Sequence, residues 1–284
     1  MWAESNVYVN QKPCEQLIFS GGEVQIRIPE VSFRERPLFY ITAYLNSSND
    51  VLGLLLTIDA VKREYPFHWD SMTRILEIPY FPYARQDRVC SRGEALSASI
   101  MANLINELQF DQVILLDPHS QVTMALVNRA TTLPVEFGSL KKYEYLVAPD
   151  LGAEKRVREH SVTKQIPMIQ CTKKRDPKTG SIQGITVIDD VSFSLEDGES
   201  KRVLIVDDIC DGGRTFIEVS KELYLRGIKH VDLFVTHGIF SQGRDVFDGF
   251  IEKIYCTNSR NQIKGLPSTT ILEYRLNGFQ MSAL

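Results

Sequence analysis

The chain has 284 residues, 43% of them hydrophobic, which is enough to bury either one large core or two of ordinary size. Its 32 basic and 36 acidic residues give a net charge of −4, so it lacks the overall basic excess that is typical of nucleic-acid-binding proteins. The longest apolar run, Val51 to Ile58, is interrupted by Gly53 and is far shorter than the roughly 20 residues of a membrane span. We therefore expect two domains, with no nucleic-acid partner and no membrane partner.

The cysteines and the first residues predict where the protein is found. The five cysteines are scattered, and no two of them form a Cys-x-x-Cys pair. This predicts reduced thiols in place of a disulfide framework or a structural zinc site. The first residues, MWAESNVYVNQK, lack the charged segment followed by an apolar segment that marks a secretion signal. Together these features predict a cytoplasmic protein.

Short aliphatic segments alternate with amphipathic ones along the chain. In the first half, strands are predicted at PLFYITAY, RILEIPYF and QVILLD, with helices at VLGLLLTIDAVKREY and from about Ser97 to Leu108. The alternation restarts after Pro134, with strands at EYLVAPD, PMIQCTKKR, GITVIDD, KRVLIVDD and HVDLFVTHG and helices at EKRVREH and from about Thr215 to Arg226. This order predicts an α/β fold of two similar halves, each a mainly parallel sheet flanked by helices.

Each half has one strand that leads into basic residues and another that ends on acidic ones. RILEIPYFPYARQDR and VILLDPHS form this pair in the first half, and CTKKR and VLIVDDICD form it in the second. Ligands of open α/β sheets bind at the carboxyl ends of the strands, so we expect these loops to face a shared cleft. A chance match remains an alternative, because buried parallel strands all consist of Val, Ile and Leu. Residues 176–184, DPKTGSIQG, are the best candidate for a mobile loop.

The segment VLIVDDICDGGRTF, residues 203–216, is the strongest single motif. Asp207 and Asp208 follow four apolar residues and can accept hydrogen bonds from neighbouring hydroxyls of a ribose. The glycines that follow let backbone N–H groups approach a phosphate, and the start of the next helix attracts an anion. The alternative is an acidic strand end followed by an ordinary glycine turn and a helix cap.

This segment resembles the phosphoribosyl diphosphate motif that type I phosphoribosyltransferases share with ribose-phosphate diphosphokinases. The rest of the chain resembles the diphosphokinases: FSGGEVQI, LLTIDAVKR, IPYFPYARQDR, VILLDPHSQ, APDLGAEKR, CTKKR, VTHGIFS and YCTNS occur in the same order and at similar spacing. The resemblance implies two type I phosphoribosyltransferase-like domains. The first, residues 1–136, is an ATP-binding half completed by the tail 270–284, and residues 137–269 bind ribose 5-phosphate.

The resemblance also implies roles for individual residues. It assigns ATP binding to Phe19, Glu23, Arg85, Gln86, Asp87 and His119, and catalysis to Lys173, Arg175 and His119. It assigns ribose 5-phosphate binding to Asp150, Asp207, Asp208, Asp211, Gly212, Gly213, Arg214 and Thr215. Magnesium is the implied cofactor, near Asp117, His119 and Asp150. Because magnesium prefers oxygen ligands, we expect His119 to contact the triphosphate or the water shell of the ion more readily than the ion itself.

Each of these motifs also has an ordinary structural interpretation. The Arg-Gln-Asp-Arg segment fits a self-paired surface turn, His119 a hydrogen-bonded structural residue, Asp150 a helix cap, and the Lys-Lys-Arg run a solvated edge. Three positions depart from the family pattern. Gly21 stands where an acid is usual, Arg214 and its neighbouring glycines replace a Thr and a later Gly, and Asn128 replaces an acid.

The resulting functional prediction is transfer of the diphosphoryl group of MgATP to the C1 hydroxyl of ribose 5-phosphate, giving 5-phosphoribosyl 1-diphosphate and AMP. Two alternatives remain open: a phosphoribosyltransferase that uses the same phosphate loop, and an inactive regulatory subunit of the same family. The resemblance further implies a homo-oligomer built from dimers, commonly a hexamer.

Overall fold

The computed structural model describes residues 1–32, 38–135, 140, 142–175, 182–188, 201–260 and 269–272. Within the strands, it does not describe the side chains of residues 174, 175, 182, 183 and 269–272. The chain divides into two compact units. The first comprises the described residues of Met1–Val135 and Ser259–Asn261, and the second those of Glu136–Asn258 and Gln262–Leu284.

The first unit is a mixed sheet with helices. Its elements are β1 (Ala3–Val9), β2 (Lys12–Ile18), β3 (Val24–Arg27), β4 (Leu38–Ala43), α1 (Ser48–Glu64), α2 (Pro66–Ser71), β5 (Thr73–Ile78), α3 (Ser97–Glu107), β6 (Gln112–Leu116), α4 (Gln121–Leu126) and β7 (Ala130–Leu133). Among the described residues the sheet order is β3-β2-β1-β4-β5-β6-β7. Strands β4 to β7 are parallel, whereas β1, β2 and β3 are joined by antiparallel pairings.

The second unit repeats this sheet order. Its elements are β8 (Tyr145–Ala148), α5 (Glu154–Lys164), β9 (Met168–Arg175), β10 (Ile182–Val187), β11 (Arg202–Cys210), α6 (Arg214–Leu225), β12 (His230–Gly238), a short 3-10 helix (Asp245–Phe247), β13 (Ile254–Thr257) and β14 (Thr269–Leu272). The order β10-β9-β8-β11-β12-β13-β14 is parallel throughout except for the edge strand β10. The predicted α/β class with two similar halves is confirmed.

Each sheet is covered by amphipathic helices that bury aliphatic side chains. In the first unit, Leu54 and Ile58 of α1 and Ile105 of α3 lie in the core with the side chains of the parallel strands. In the second, Val219 and Leu223 of α6 are fully buried in a separate core. Burial of each such aliphatic side chain stabilises the fold by roughly 1.5–3 kcal/mol. The packed helices therefore fix the sheets, and with them the loops at the ends of the strands.

Two features differ from the sequence prediction. Residues 182–184, predicted as part of a mobile loop, lie in β10, because Ile182 to Val187 pair antiparallel with β9; residues 176–181 lie outside the described residues. Residues 270–272 of the predicted tail belong to β14 and pair with β13 in the second unit. Residues 273–284 also lie outside the described part, so the role predicted for them stays a prediction. No described helix has the length and apolar composition to cross a membrane.

Candidate active site

Arg85, Gln86 and Asp87 lie in the turns that follow β5, at the carboxyl edge of the first sheet. The Gln86 N–H donates to the carbonyl of Tyr83 at 2.9 Å, and the Gln86 carbonyl accepts from Ala98 at the start of α3 at 3.2 Å. These bonds fix the backbone of the turn while the side chains of Arg85 and Gln86 remain exposed. The turn therefore presents a guanidinium and an amide to solvent, which suits a phosphate-bearing ligand.

Asp117 and His119 follow the adjacent strand β6. Because β5 and β6 are parallel neighbours, their carboxyl ends lie side by side, about 4.8 Å apart. Asp117 has a positive φ of 40°, and Tyr83 in the loop after β5 has one of 61°. Such backbone conformations are unfavourable for residues other than glycine and cluster at ligand sites. The structure thus brings the first basic loop and the first acidic loop to one edge of the sheet, as the sequence predicted.

Phe19 and Glu23 lie elsewhere, in the tight turn between β2 and β3. The Phe19 N–H donates to the Glu23 carbonyl at 2.9 Å, and Gly22 donates to the Phe19 carbonyl at 2.8 Å, which closes the turn. Phe19 is 50% exposed. Strand β2 is three places from β5 in the sheet, or roughly 14 Å at the usual strand spacing. The exposed turn is therefore separate from the loop that carries Arg85.

In the second unit, Asp207 and Asp208 are the sixth and seventh residues of β11 and lie in a largely buried environment. Their side chains are 14% and 7% exposed. The Asp208 N–H donates to Oδ1 of Asp207 at 2.9 Å. Burial and the negative charge of Asp208 raise the pKa of the Asp207 carboxyl well above its usual range, and Arg156 acts in the opposite direction. Hydroxyl donors or a cation would stabilise the charged form of this buried pair.

The loop after these carboxylates ends on Gly213, which precedes the twelve-residue helix α6. Gly213 has a φ of +80°, and a Cβ there would lie 2.4 Å from Cζ of the buried Phe247. Its carbonyl accepts from Phe216 and Ile217 at 3.0 and 3.2 Å, which begins the helix. Glycine is therefore required at position 213 both by the backbone conformation and by the packing. This leaves the exposed Arg214 at the first position of α6.

Asp150 follows β8, and Lys173 lies near the end of the neighbouring parallel strand β9. The Lys173 ammonium forms a hydrogen-bonded ion pair with the Asp150 carboxylate. Burial raises the pKa of Asp150, but the hydrogen bond and the charge of Lys173 outweigh burial and hold that pKa below its usual value. Lys173 thus lies in a strand and not in a loop. Arg175 lies at the end of the same strand, with its side chain outside the described part.

The sequence analysis missed two residues near the proposed ribose phosphate site, one beside the carboxylates and one beside the glycine loop. Arg156 on α5 lies 3.7 Å from Asp207 and 4.0 Å from Asp208. The loop after β12 approaches Gly212, where a Cβ would lie 3.5 Å from Cγ of Gln242. Arg156 is one of several charges in EKRVREH, and the pattern alone does not mark which of them faces the sheet. The segment VTHGIFS, which ends just before Gln242, carried a family resemblance but no assigned residue.

The donor groups present suit magnesium that binds together with a phosphate. Within the described ranges, no three His, Cys, Asp or Glu side chains converge to enclose an ion. Magnesium needs no such cage, because it keeps several waters and binds through one or two carboxylates and substrate phosphates. Asp117 in the first unit and Asp150 in the second each supply one carboxylate at a carboxyl edge, so the residues fit this kind of binding.

Comparison with known proteins identifies the family. Residues 4–108 match the N-terminal domain of ribose phosphate pyrophosphokinase, and residues 148–247 match the phosphoribosyl transferase domain. A ribose-phosphate pyrophosphokinase of Aquifex aeolicus is 33% identical over 253 residues, which cover 85% of this chain and 77% of the relative. The chain belongs to the ribose-phosphate pyrophosphokinase family.

Other relatives agree with this placement in the family. The ribose-phosphate pyrophosphokinase of Mycoplasma genitalium is 30% identical over 281 residues, with 91% of this chain and 78% of the relative covered. The crystal structure of phosphoribosylpyrophosphate synthetase from Mycobacterium smegmatis superposes with a TM-score of 0.70 at 20% identity. That superposition covers 92% of this chain and 85% of the other, and it confirms the fold across both units.

Proposed function

We propose that this member of the ribose-phosphate pyrophosphokinase family transfers the β,γ-diphosphoryl group of MgATP to the C1 hydroxyl of ribose 5-phosphate, giving 5-phosphoribosyl 1-diphosphate and AMP. The observation that carries the proposal is the buried pair Asp207 and Asp208 in β11, which ends at Cys210 and is followed by a glycine loop at the start of α6. In the reaction, the C1 oxygen forms a bond to the β-phosphorus while the bond from that phosphorus to the α-phosphate oxygen breaks, so AMP leaves and the proton of the C1 hydroxyl is released to solvent.

The second unit is the proposed acceptor site. Asp207 and Asp208 accept hydrogen bonds from the vicinal ribose hydroxyls. Residues Asp211 to Thr215 hold the 5-phosphate with backbone N–H groups, the Thr215 hydroxyl and the Arg214 guanidinium, at the positive end of a helix. Because Arg214 is exposed and charged, it supplies to the phosphate the attraction that a hydroxyl would supply in the usual family loop.

The first unit is the proposed nucleotide site, with Arg85, Gln86, Asp87 and His119 facing the phosphates of ATP. Lys173 and Arg175 neutralise the charge that develops on the transferring group, and catalysis is mainly positioning and electrostatics. Asp117 in the first unit and Asp150 in the second would each supply a carboxylate to magnesium, and the metal would supply Lewis-acid neutralisation of the phosphates when it is bound.

Phe19 and Glu23 lie on an exposed turn, which supports a role in contacting the adenine of a neighbouring copy. We accordingly propose a cytoplasmic homo-oligomer built from dimers, with a hexamer as the largest expected assembly. Residues 1–136 would form the ATP-binding half and residues 137–269 the acceptor half.

The test is to incubate the purified protein with MgATP and ribose 5-phosphate and to follow AMP and the diphosphate by chromatography and phosphorus NMR. We expect equal amounts of AMP and 5-phosphoribosyl 1-diphosphate, and no AMP when ribose 5-phosphate is omitted. Absence of AMP would rule out the proposed activity. Consumption of 5-phosphoribosyl 1-diphosphate with a nucleobase would then favour the transferase alternative, and binding of nucleotide without either reaction would favour a regulatory subunit.

A further inference from the structure

Arg156 lies beside the two carboxylates of the proposed acceptor site. It is the third residue of α5, the helix that follows the Asp150 turn. One terminal nitrogen of its guanidinium is 3.7 Å from Oδ1 of Asp207, and the other is 4.0 Å from Oδ2 of Asp208. Its side chain is 19% exposed, so these ion pairs are only weakly screened by water.

The two carboxylates need a cation at this place. They are adjacent in sequence, both are largely buried, and Asp150 adds further negative charge nearby. Lys173 is already paired with Asp150. A fork-shaped guanidinium can face two carboxylates at once, which a single ammonium cannot do equally well.

The two ion pairs of Arg156 are longer than a direct hydrogen bond. Both nitrogen–oxygen separations exceed the 2.7–3.2 Å of an ordinary N–H···O hydrogen bond. Arg156 therefore balances the charge without occupying the lone pairs in a direct hydrogen bond. An ionised carboxylate has about four lone-pair sites, so each of the two can accept a hydrogen bond from a hydroxyl group besides the bond that Oδ1 of Asp207 accepts from the Asp208 N–H.

We infer that Arg156 is a positioning residue that charge-balances and orients Asp207 and Asp208 so that both accept hydrogen bonds from the vicinal hydroxyls of the acceptor sugar. This inference rests on the proposed function, because it names a further determinant of acceptor binding at the same site. It assigns Arg156 no contact with ATP.

Arg158 provides a matched control on the same helix. Its side chain is 60% exposed and pairs with Glu154 at 2.7 Å on the surface of α5. Arg156→Met and Arg158→Met remove the same charge and leave a side chain of similar length. Arg156→Lys retains a positive charge but replaces the fork with a point charge.

The experiment measures AMP release by each variant, with ribose 5-phosphate and ATP varied in turn. For Arg156→Met we expect at least a tenfold rise in the KM for ribose 5-phosphate with the KM for ATP changed less than twofold. Arg156→Lys should recover part of the loss, and Arg158→Met should match the parent protein. An unchanged KM for ribose 5-phosphate, or an equal rise in both KM values, would overturn the inference.

Two further measurements keep the inference separate from folding and from the proposed function. If Arg156→Met fails to fold, Arg156→Lys alone should raise the KM for ribose 5-phosphate several-fold, and no change would overturn the inference. Calorimetric titration with ribose 5-phosphate needs no turnover. If the parent protein binds the sugar phosphate without releasing AMP, the proposed reaction fails. Weaker binding of ribose 5-phosphate by Arg156→Met would still support Arg156 as a determinant of acceptor binding. Equal binding by the parent protein and by Arg156→Met would overturn the inference about Arg156.

Discussion

Lys173 is held by Asp150 at the carboxyl edge of the second sheet. Its ammonium is therefore already in place beside Asp150, one of the proposed acceptor-site residues, before any phosphate arrives. Diphosphoryl transfer builds negative charge on phosphate oxygens, and a preorganised cation stabilises that charge more than it stabilises the bound sugar.

Lys173→Ala should therefore lower kcat on the order of 10²–10³-fold, the range seen when one preorganised electrostatic donor is removed. The KM for ribose 5-phosphate should change little. Steady-state AMP release measures both constants, with Lys155→Ala, an exposed lysine on α5, as the control. If the Lys173 variant turned over as fast as the parent protein, Lys173 would have no part in the mechanism.

A second ion pair, remote from the carboxyl edge, gives a stability prediction. Arg74 donates to Asp111 from its backbone N–H, its Nε and one terminal nitrogen, at 2.9–3.1 Å. The hydrogen bond from Arg74 is the largest cause that lowers the pKa of Asp111. A folded-state pKa below the unfolded value stabilises the fold above the unfolded pKa, about 3.9, and the effect is lost as the pH falls through the folded value.

Asp111→Asn should thus reduce the free energy of unfolding at pH 7 by about 0.5–1 kcal/mol, since the carboxylate is partly exposed and screened. The difference between the parent and the variant should shrink as the pH falls from 5 to 3. Urea unfolding at several pH values measures it. A difference that is independent of pH would show that the lost charge is not the cause.

Which residues lie at the candidate site was partly predictable from the sequence. Arg85 and Asp117 follow strands, and Asp207 and Lys173 lie in the carboxyl-terminal parts of strands, so their placement near sheet edges follows from the strand pattern. The partners of these residues were not predictable. The Lys173 pairing and the approach of Arg156 depend on which strands are neighbours in the sheet, and that order is decided by contacts between residues distant in sequence.

At the scale of elements, the loop between β11 and α6 depends on two adjacent glycines with different surroundings. A Cβ at Gly213 would overlap the ring of Phe247, which packs edge-on against Phe240 with ring centroids 6.2 Å apart. A Cβ at Gly212 would meet only ordinary contacts, the nearest at 3.5 Å. Alanine substitutions at these two positions therefore separate the effect of overlap with Phe247 from the effect of losing a glycine in the loop.

Gly213→Ala should destabilise the protein by roughly 2–4 kcal/mol, combining a strained backbone conformation with overpacking against a buried ring. Gly212→Ala should change the free energy of unfolding by less than about 1 kcal/mol. Denaturant unfolding of both variants measures the difference. Equal effects of the two substitutions would show that the Phe247 ring yields at little cost.

The long helices were predictable from their sequence pattern, although α5 is mostly polar and buries only Val157. Helices α1, α3, α5 and α6 all lie where the pattern indicated. The six-residue helices α2 and α4 were missed, since they are too short to show a period. Strands β1 and β2 were also missed; they are joined at Asn10 and Gln11, which both have positive φ without a glycine to signal the turn.

At the scale of the whole molecule, the same strand order occurs in both units, but the first connection differs. In the first unit β1 returns through a hairpin to the antiparallel β2, whereas in the second β8 continues through α5 to the parallel β9. The second unit therefore gains a helix beside its carboxyl edge, and this helix carries Arg156. The duplication was visible in the sequence, but this difference between the halves was not.

The presence of α5 in the second unit is consistent with the proposal that the second unit binds the acceptor and the first binds the nucleotide. Substitutions in the two units should then affect different substrates. Asp208→Asn removes a buried carboxylate next to the phosphate loop, and Arg85→Ala removes an exposed guanidinium after β5. Hydrogen bonds to charged groups contribute about 1.5–3 kcal/mol, or roughly tenfold or more in affinity.

Asp208→Asn should therefore raise the KM for ribose 5-phosphate at least about tenfold while the KM for ATP stays within twofold, and Arg85→Ala should show the reverse. Each KM is measured by AMP release with the other substrate saturating. If the two residues act on different substrates, the double variant should combine the two effects, because independent substitutions act additively. If either single variant raised both KM values equally, the two substrates would not be divided between the units, and the assignment of ATP to the first unit would be wrong.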